Sequence, residues 1–200
     1  MIAHASRGCA VALLLWLSIV AGPARAQADA ARAAYDSENY EAAAALYLPR
    51  AREGDAGAQY RLGMMARFGW GMDKDSEAAA RWLRQAAEQN YAQAQAELGT
   101  MYRLGRGVPE DAREAARWLR AAAAAGVGIA QLSIGRMYRD GIGVSRDPVE
   151  AYAWFTAAGE NNVMDGLAYR NEMAKQMTED QIASAKRLAV QIARKEPEAK

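Results

Sequence analysis

Two consecutive stretches of the chain, residues 94–103 and 112–122, carry apolar residues at the spacing of an amphipathic helix. Polar and charged residues fill most of the remaining positions, so each stretch has an apolar face. A short turn separates the two stretches, and the pattern therefore predicts a helical hairpin. The apolar stripe consists of Ala94, Leu98, Met101 and Tyr102 in the first helix and of Ala115, Trp118, Leu119 and Ala122 in the second.

The turn, Leu-Gly-Arg-Gly-Val-Pro-Glu-Asp at residues 104–111, contains two glycines and has two interpretations. Glycine-rich turns before a helix can cradle phosphate groups, but such a loop normally follows a strand and occurs once. This turn follows a helix, and versions of it occur three times. We therefore predict a helix corner. Gly105 adopts the left-handed stop, Gly107 is the second permissive residue, and Asp111 caps the next helix.

The hairpin pattern repeats every 36 residues. A single hairpin cannot bury its own apolar face, so the copies are expected to stack and to enclose the tryptophans between them. The glycine beside each apolar stripe lets a neighbouring helix approach closely. The positions that keep this step are Gly63, Gly99 and Gly135; Gly69, Gly105 and Gly141; Gly71, Gly107 and Gly143; Trp82, Trp118 and Trp154; and Asp75, Asp111 and Asp147.

The copy at residues 94–126, AQAELGTMYRLGRGVPEDAREAARWLRAAAAAG, resembles a Sel-one-like repeat, a relative of the tetratricopeptide repeat with a slightly longer loop. The matching features are Ala-Gln, Leu-Gly, Met-Tyr, Gly-x-Gly-Val, Asp and Ala-x-x-Trp. The first copy departs modestly, with Ala66 in place of tyrosine and Met72 in place of valine. The resemblance implies an all-α protein, a right-handed α/α solenoid of helix pairs whose first helices line a concave surface that binds proteins or peptides.

The flanks fit the same register. Residues 39–54 align with a second helix, in which Pro49 is expected to cause a kink or a shortening. Thr178 and Gln181 form a capping box that opens a terminal helix with an apolar face. The predicted organisation is a signal peptide at 1–26, an N-terminal half-repeat at 27–54, repeats at 55–90, 91–126 and 127–162, a degenerate repeat with a C-terminal capping helix at 163–194, and a disordered tail at 195–200.

The chain begins with features of an export signal. Cys9–Gly22 is an apolar run, and Ala24-Arg25-Ala26 matches a signal-peptidase site, so cleavage is predicted after Ala26. An uncleaved anchor is the alternative, although the run is shorter than the roughly 20 residues that a membrane span needs. The predicted location is the periplasm or the exterior of a Gram-negative bacterium.

The composition after this cleavage excludes several kinds of chemistry. The chain's only cysteine is Cys9 and its only histidine is His4, so the exported part has neither residue type. Catalysis by Ser-His or Cys-His pairs and zinc binding by His or Cys are therefore excluded. Loss of Arg7 and Arg25 leaves 23 basic residues against 24 acidic ones, a net charge of −1, which does not favour nucleic acid or anionic lipid. We expect no catalytic residues, cofactor or metal.

A binding groove is predicted on the first helices, on the face opposite the apolar stripe. Arg67, Arg103 and Arg139 would form a ladder along it that suits carboxylate-rich segments, since guanidinium groups bind carboxylates bidentately. The alternative is that these arginines pair with neighbouring acidic residues and only solvate the surface. The candidate groove residues are Tyr60, Met64, Arg67, Thr100, Arg103, Leu132, Arg136 and Arg139.

Phe68 and Trp70 break the repeat, because the later copies carry other residue types at these two positions. Exposed aromatic residues can anchor a partner; alternatively, the two rings pack under the N-terminal half-repeat. The function predicted for the whole chain is a non-catalytic periplasmic scaffold that binds a protein or peptide. The alternatives are an envelope assembly adaptor, an immunity protein that neutralises a secreted toxin, a negative regulator of a sensor kinase and, least favoured, an enzyme acting on the cell wall or on β-lactams.

Overall fold

The computed structural model describes residues 25–194, and all regular secondary structure in that range is helical. The predicted signal peptide, apart from its last two residues, and the tail at 195–200 lie outside the described residues. The helices are α1 at 25–36, α2 Tyr40–Arg52, α3 Ala56–Phe68, α4 Ser76–Glu88, α5 Ala92–Leu104, α6 Ala112–Ala124, α7 Gly128–Asp140, α8 Pro148–Glu160, α9 Met164–Ala174 and α10 Glu179–Arg194.

The second helix of each of the three repeats begins at an aspartate whose side chain caps it, as the sequence predicts. The Asp111 carboxylate accepts hydrogen bonds from the backbone N–H groups of Arg113 and Glu114 at 2.9 and 3.0 Å. Asp75 and Asp147 hold the same position before α4 and α8. These bonds satisfy backbone donors that a helix leaves free at its N-terminus.

The first helices of the second and third repeats have no side-chain cap, and a buried glutamine fixes their position instead. The side-chain amide of Gln95 donates to the carbonyl oxygen of Ala87 at 3.1 Å, and that of Gln131 donates to the carbonyl oxygen of Ala123 at 3.1 Å. Gln59 makes the corresponding bond to Ala51. Each bond joins a first helix to the C-terminal end of the preceding second helix, so the glutamine sets the junction between repeats.

Two sets of glycines allow the helices to pack closely. A Cβ atom on Gly99 would lie 2.8 Å from Cγ of Leu119, and the equivalent atoms on Gly63 and Gly135 would meet Leu83 and Phe155. The second corner glycine lies against the preceding repeat: a Cβ on Gly107 or Gly143 would lie 2.0 Å from the carbonyl oxygen of Ser76 or Ala112, and one on Gly71 would meet the backbone of Tyr40. The corner of one repeat therefore rests on the start of the second helix before it.

The core runs along the stack between the two layers of helices. Trp118 and Trp154 are only 7% and 4% exposed, while Trp82 is half-buried. Trp118 packs with Ala79, Leu83 and Leu98, which belong partly to the preceding repeat. The prediction that stacked hairpins bury the tryptophans repeated every 36 residues is confirmed for Trp118 and Trp154 and holds in part for Trp82.

The N-terminal half-repeat packs on α3 through α2. Pro49 lies inside α2, yet the helix has 13 residues, like the helices of the three repeats, so the expected shortening does not occur. Proline removes the bond to the carbonyl group of Ala45, and because Ala45 is exposed, water can take that bond. Arg50 closes the junction with an ion pair to Asp55 at 2.5 Å.

The C-terminal helix covers the end of the stack. The capping box is present: Thr178 N–H donates to Oε1 of Gln181 at 3.0 Å, and Gln181 N–H donates to Oγ of Thr178 at 3.3 Å. Ala185 and Ala189 are buried where α10 packs against α8. Within residues 25–194 no helix combines the length and the apolar character that crossing a membrane requires.

Candidate protein-binding groove

Two adjoining depressions lie on the face formed by the first helices. One has a volume of about 450 Å³ and is lined by residues of α5, α7 and the corners that follow them, including Arg103, Ser133 and Arg136. The other, of about 440 Å³, is lined by residues of α7, α9 and nearby loops, including Tyr169. Arg139 and Asp140 line both. We call these two depressions together the first-helix groove, and it extends over three consecutive first helices.

The three arginines of the predicted ladder do not share one environment. Arg67 pairs with Glu97 of the next repeat, and its guanidinium lies 5.0 Å from the ring centre of Phe68. Arg139 pairs with Asp140 at 2.7 Å. Arg103 is exposed and has no ion-pair partner among residues 25–194. The alternative interpretation, pairing with nearby acids, thus describes Arg67 and Arg139, whereas no acid within residues 25–194 pairs with Arg103.

The residues that surround each ladder arginine explain this difference. Arg67 and Arg139 each contact the residue 30 positions further on, which belongs to the next first helix. That residue is Glu97 for Arg67 and Tyr169 for Arg139, whose guanidinium lies 5.3 Å from the tyrosine ring centre. For Arg103 it is Ser133, which lines the same depression but carries no charge. Arg139 also faces an uncharged residue but pairs with the adjacent Asp140, whereas Arg103 is followed by Leu104, so Arg103 lacks an acid at both positions.

Asp140 and Arg139 separate the two halves of the first-helix groove. Arg139 donates to both carboxylate oxygens of Asp140, at 2.7 and 2.8 Å. These hydrogen bonds hold the pKa of Asp140 below its ordinary value, and the nearby charges of Arg136 and Arg146 act in the same direction. Asp140 is therefore ionised at neutral pH, and the groove contains anionic as well as cationic groups.

Tyr169 fixes the far half of the groove. Its hydroxyl accepts a hydrogen bond from Arg136 at 2.7 Å, and its ring stacks on Phe155 with centres 5.3 Å apart. The Arg136 guanidinium also lies 5.0 Å from the centre of the Tyr169 ring. Tyr169 is absent from the predicted site, although the 30-residue offset from Arg139 is a signal that locates it.

Four other predicted groove residues make packing contacts or hydrogen bonds within the protein. Tyr60 stacks on Tyr91 with ring centres 5.1 Å apart, and burial raises the pKa of its phenol. The Thr100 hydroxyl donates to the carbonyl oxygen of Ala96 within its own helix at 2.9 Å. Met64 and Leu132 are half-buried against the core. None of these four residues lines either depression.

The two repeat-breaking aromatic residues differ in exposure. Trp70 stacks on Tyr40 with ring centres 5.3 Å apart and meets Tyr35 edge-on, so it packs against the N-terminal half-repeat. Phe68 stacks on the Trp70 ring, with ring centres 4.8 Å apart, and remains 46% exposed. The sequence left both roles open for the pair; the structure places Trp70 under the half-repeat and Phe68 at the surface.

Stacked helix pairs joined by glycine corners define an α-solenoid. The model of the Sel1 repeat family matches residues 56–91, 92–127 and 128–163, which together are more than half of the chain. The protein belongs to the Sel1 repeat family.

Several solved structures are similar to the chain, among them the following two. The first is a protective antigen of uropathogenic Escherichia coli strains that displays an SLR fold, with 38% identity over 78% of this chain and a TM-score of 0.71. The alignment covers only 33% of that structure, so this chain spans about a third of its length. The second is a Sel1 repeat protein from Oxalobacter formigenes, with 37% identity, a TM-score of 0.59, and coverage of 63% of this chain and 95% of that one. No curated protein matches the chain.

Sel1 repeats are generally protein–protein interaction modules and are typically non-catalytic. The first-helix groove fits that general role, since it offers donors, acceptors and apolar contacts on a broad surface. Within the described residues no group of three or more His, Cys, Asp or Glu side chains is placed to hold a metal ion.

Proposed function

We propose that this protein is an exported, non-catalytic scaffold that binds an extended segment of a partner protein in the first-helix groove. The observation that carries the proposal is the continuity of the two depressions across α5, α7 and α9. A groove that crosses several repeats presents the same kind of surface at successive steps, which suits a polymer.

The dimensions of the groove indicate how much of a partner it holds. Packed helices lie roughly 8–10 Å apart, so three neighbouring first helices span roughly 20 Å. An extended chain advances about 3.3 Å per residue, and about six residues therefore cover the groove. We expect the bound element to be a short linear segment, such as a tail or a loop of the partner.

The lining specifies a segment of mixed polarity. Arg103 and Arg136 provide guanidinium donors for carboxylates and backbone carbonyls, whereas Asp140 and Glu110 accept hydrogen bonds. Ile142 is 48% exposed at the rim and provides an apolar contact. Each rim charge adds little energy alone, because exposed ion pairs contribute about 0–1 kcal/mol. Specificity therefore arises from several contacts in register.

Export by the N-terminal segment is the second part of the proposal, and it rests on the sequence of residues 1–26. In a Gram-negative bacterium the expected destination is the periplasm. The test is fractionation of cells that produce the whole chain, followed by N-terminal sequencing of the protein recovered. A mature form beginning at Gln27 in the periplasmic fraction is the expected result. Full-length protein retained in the cytoplasm would contradict export. The groove is tested by a separate experiment.

The groove itself is tested by capture of partners from the cell envelope, followed by crosslinking and mass spectrometry. We expect Arg103→Glu combined with Ser133→Trp to abolish capture, because the first change reverses the unpaired charge and the second fills the depression. Arg187→Glu, on the exposed side of α10, is the matched charge reversal away from the groove and should leave capture intact. Equal capture by both variants would refute the groove. The identity of the captured protein then separates a toxin, a sensor kinase and an assembly protein.

A further inference from the structure

A depression of about 520 Å³ on the second-helix layer is lined only by basic, small and apolar residues. Three arginines of α6 surround it, and the floor comes from alanines of the same helix and from the corner of the third repeat. No carboxylate is part of the lining, unlike in the first-helix groove, where Asp140 and Glu110 contribute. We call it the α6 depression; the residues that matter for its chemistry are Arg113, Arg117, Arg120, Gly143 and Val144.

The three guanidinium groups are arranged along one face of the helix. Positions 113, 117 and 120 are separated by four and three residues, so they lie on one side of α6 and span about 10 Å. The backbone at the start of this row is fixed by the next repeat, because a Cβ atom on Gly143 would lie 3.1 Å from the backbone nitrogen of Arg113. The row of three arginines therefore lies between α6 and the following corner.

Two of the arginines are held in place by acids outside the lining. Arg117 binds both carboxylate oxygens of Glu114 through its Nε and Nη2 atoms, and its guanidinium lies 4.1 Å from the centre of the Trp118 ring. Arg120 lies 3.7 Å from a carboxylate oxygen of Glu150. Glu150 therefore orients Arg120. A guanidinium group has five donors, and the bonds from Arg117 to Glu114 use only its Nε and Nη2 atoms, so Arg117 is oriented and keeps the donors of Nη1.

Arg113 differs from its two neighbours. It is exposed, and no carboxylate among residues 25–194 lies within ion-pair distance of it. Asp111 caps the same helix end through the backbone N–H of Arg113 and not through its guanidinium. An arginine near a helix N-terminus is unfavourable with respect to the helix dipole, so an anionic ligand there would relieve that repulsion.

We propose that the α6 depression is a second binding site, which takes an acidic segment of a protein whose carboxylates pair with Arg113, Arg117 and Arg120. A ligand with carboxylates spaced by four and three residues on a helix matches the spacing of the arginines. The alanine floor accepts the small apolar face of such a segment. A membrane surface fits less well, because the exposed large apolar residues, including Phe68, Ile129 and Met164, all lie outside α6.

The site stands independently of the first-helix groove, and it adds a function to the fold. The groove lies on the first helices and the α6 depression on the second helices, so one chain can hold two partners at once. A scaffold that joins two proteins needs two such surfaces.

The test is a binding titration of the purified protein with a labelled helical peptide whose glutamates are spaced by four and three residues. A peptide with glutamine at the same positions is the ligand control. We expect saturable binding of the glutamate peptide that weakens with added salt, and no saturable binding of the glutamine peptide. Arg113→Gln should weaken binding by about threefold to tenfold. Arg103→Gln, the same substitution in the first-helix groove, should leave the affinity unchanged.

Several outcomes would overturn the proposal. These are failure of the glutamate peptide to bind at low salt, equal binding of both peptides, and equal weakening by the two protein variants. A parallel titration with vesicles of anionic and of neutral phospholipid addresses the other class of partner. Binding to the anionic vesicles without binding to the glutamate peptide would show that the α6 depression binds a membrane surface and not an acidic protein segment. Circular dichroism of each variant shows that the fold is retained, as expected for exposed side chains.

Discussion

Replacement of Gly107 by alanine isolates the contact that locks one repeat onto the next. Gly107 has a φ angle of +70°, and an added Cβ atom would lie 2.0 Å from the carbonyl oxygen of Ser76 in the preceding repeat. Neighbouring heavy atoms essentially never come within 3.0 Å of a real Cβ. The corner would therefore have to move away from α4 by roughly 1 Å, against a close-packed interior.

Gly105 is the matched control, since it lies in the same corner and also adopts a left-handed conformation, with φ of +60°. The nearest atom to its added Cβ would be Cβ of Glu110 at 3.4 Å, which is an ordinary contact. Gly105→Ala thus introduces only conformational strain, which costs about 1–2 kcal/mol. Gly107→Ala adds overpacking, which typically costs a further 1–3 kcal/mol, so about 2–5 kcal/mol is expected in total.

Urea unfolding followed by circular dichroism measures both free energies, and differential scanning calorimetry gives the melting temperatures. For a chain of this size each kcal/mol corresponds to roughly 2–4 °C. We expect the melting temperature of Gly107→Ala to fall clearly below that of Gly105→Ala. Equal losses of stability in the two variants would show that the second corner glycine is needed only for its backbone conformation. The close contact between Gly107 and Ser76 would then make no contribution to the free energy of unfolding.

Three further predictions concern the core, the aromatic pair and the N-terminal junction. Trp118→Ala should lower the free energy of unfolding by about 3–5 kcal/mol, because it removes a buried indole shared by two repeats; a chevron or urea curve superimposable on that of the unchanged protein would contradict the stacked core. Trp70→Ala should cost about 2–3 kcal/mol in the same assay, because Trp70 is half-buried, whereas Phe68→Ala, at an exposed ring, should cost less than about 1 kcal/mol, and the reverse order would be inconsistent with the packing described. Burial acts to raise the pKa of Asp55, but hydrogen bonds from Ala58 N–H and Arg50 outweigh it and hold the pKa below its ordinary value. Its stabilising contribution is therefore present above about pH 4 and is lost as the pH falls through the lower, folded-state pKa. The stability difference between the unchanged protein and Asp55→Asn should shrink between neutral pH and pH values near 3, and a constant difference would argue against an ionised Asp55.

The helical hairpins could be predicted from local signals because each signal acts on its own neighbours. Asp111 caps α6 whatever surrounds it, and Gly105 ends α5 through its own backbone conformation. Pro49 shows the limit of such reasoning. The effect of a proline depends on whether the carbonyl group that it leaves free can reach water, and the exposure of Ala45 is a property of the folded chain.

The candidate groove was predicted less completely. The repeat pattern predicts which face of the first helices forms the groove. Whether each arginine on that face is ion-paired depends on residues that only the folded chain brings close to it. Glu97 neutralises Arg67, whereas the corresponding residue for Arg103 is the uncharged Ser133. The arginines of α6 were not among the predicted site residues, because as single positions they have the pattern of any solvated helix surface. Their common depression forms only when Gly143 and Val144 of the next corner pack beside α6.

The sequence by itself determined the repeat length, the helix pairs, the corner conformations and the need to stack, since these depend on spacing, on capping and on apolar faces that a hairpin cannot bury alone. Only the tertiary structure decided which charges pair, where the buried glutamines bond and which surfaces remain open. The physical reason is distance: an ion pair or a depression requires side chains from different repeats to meet within a few ångströms, and that meeting is set by how the repeats pack.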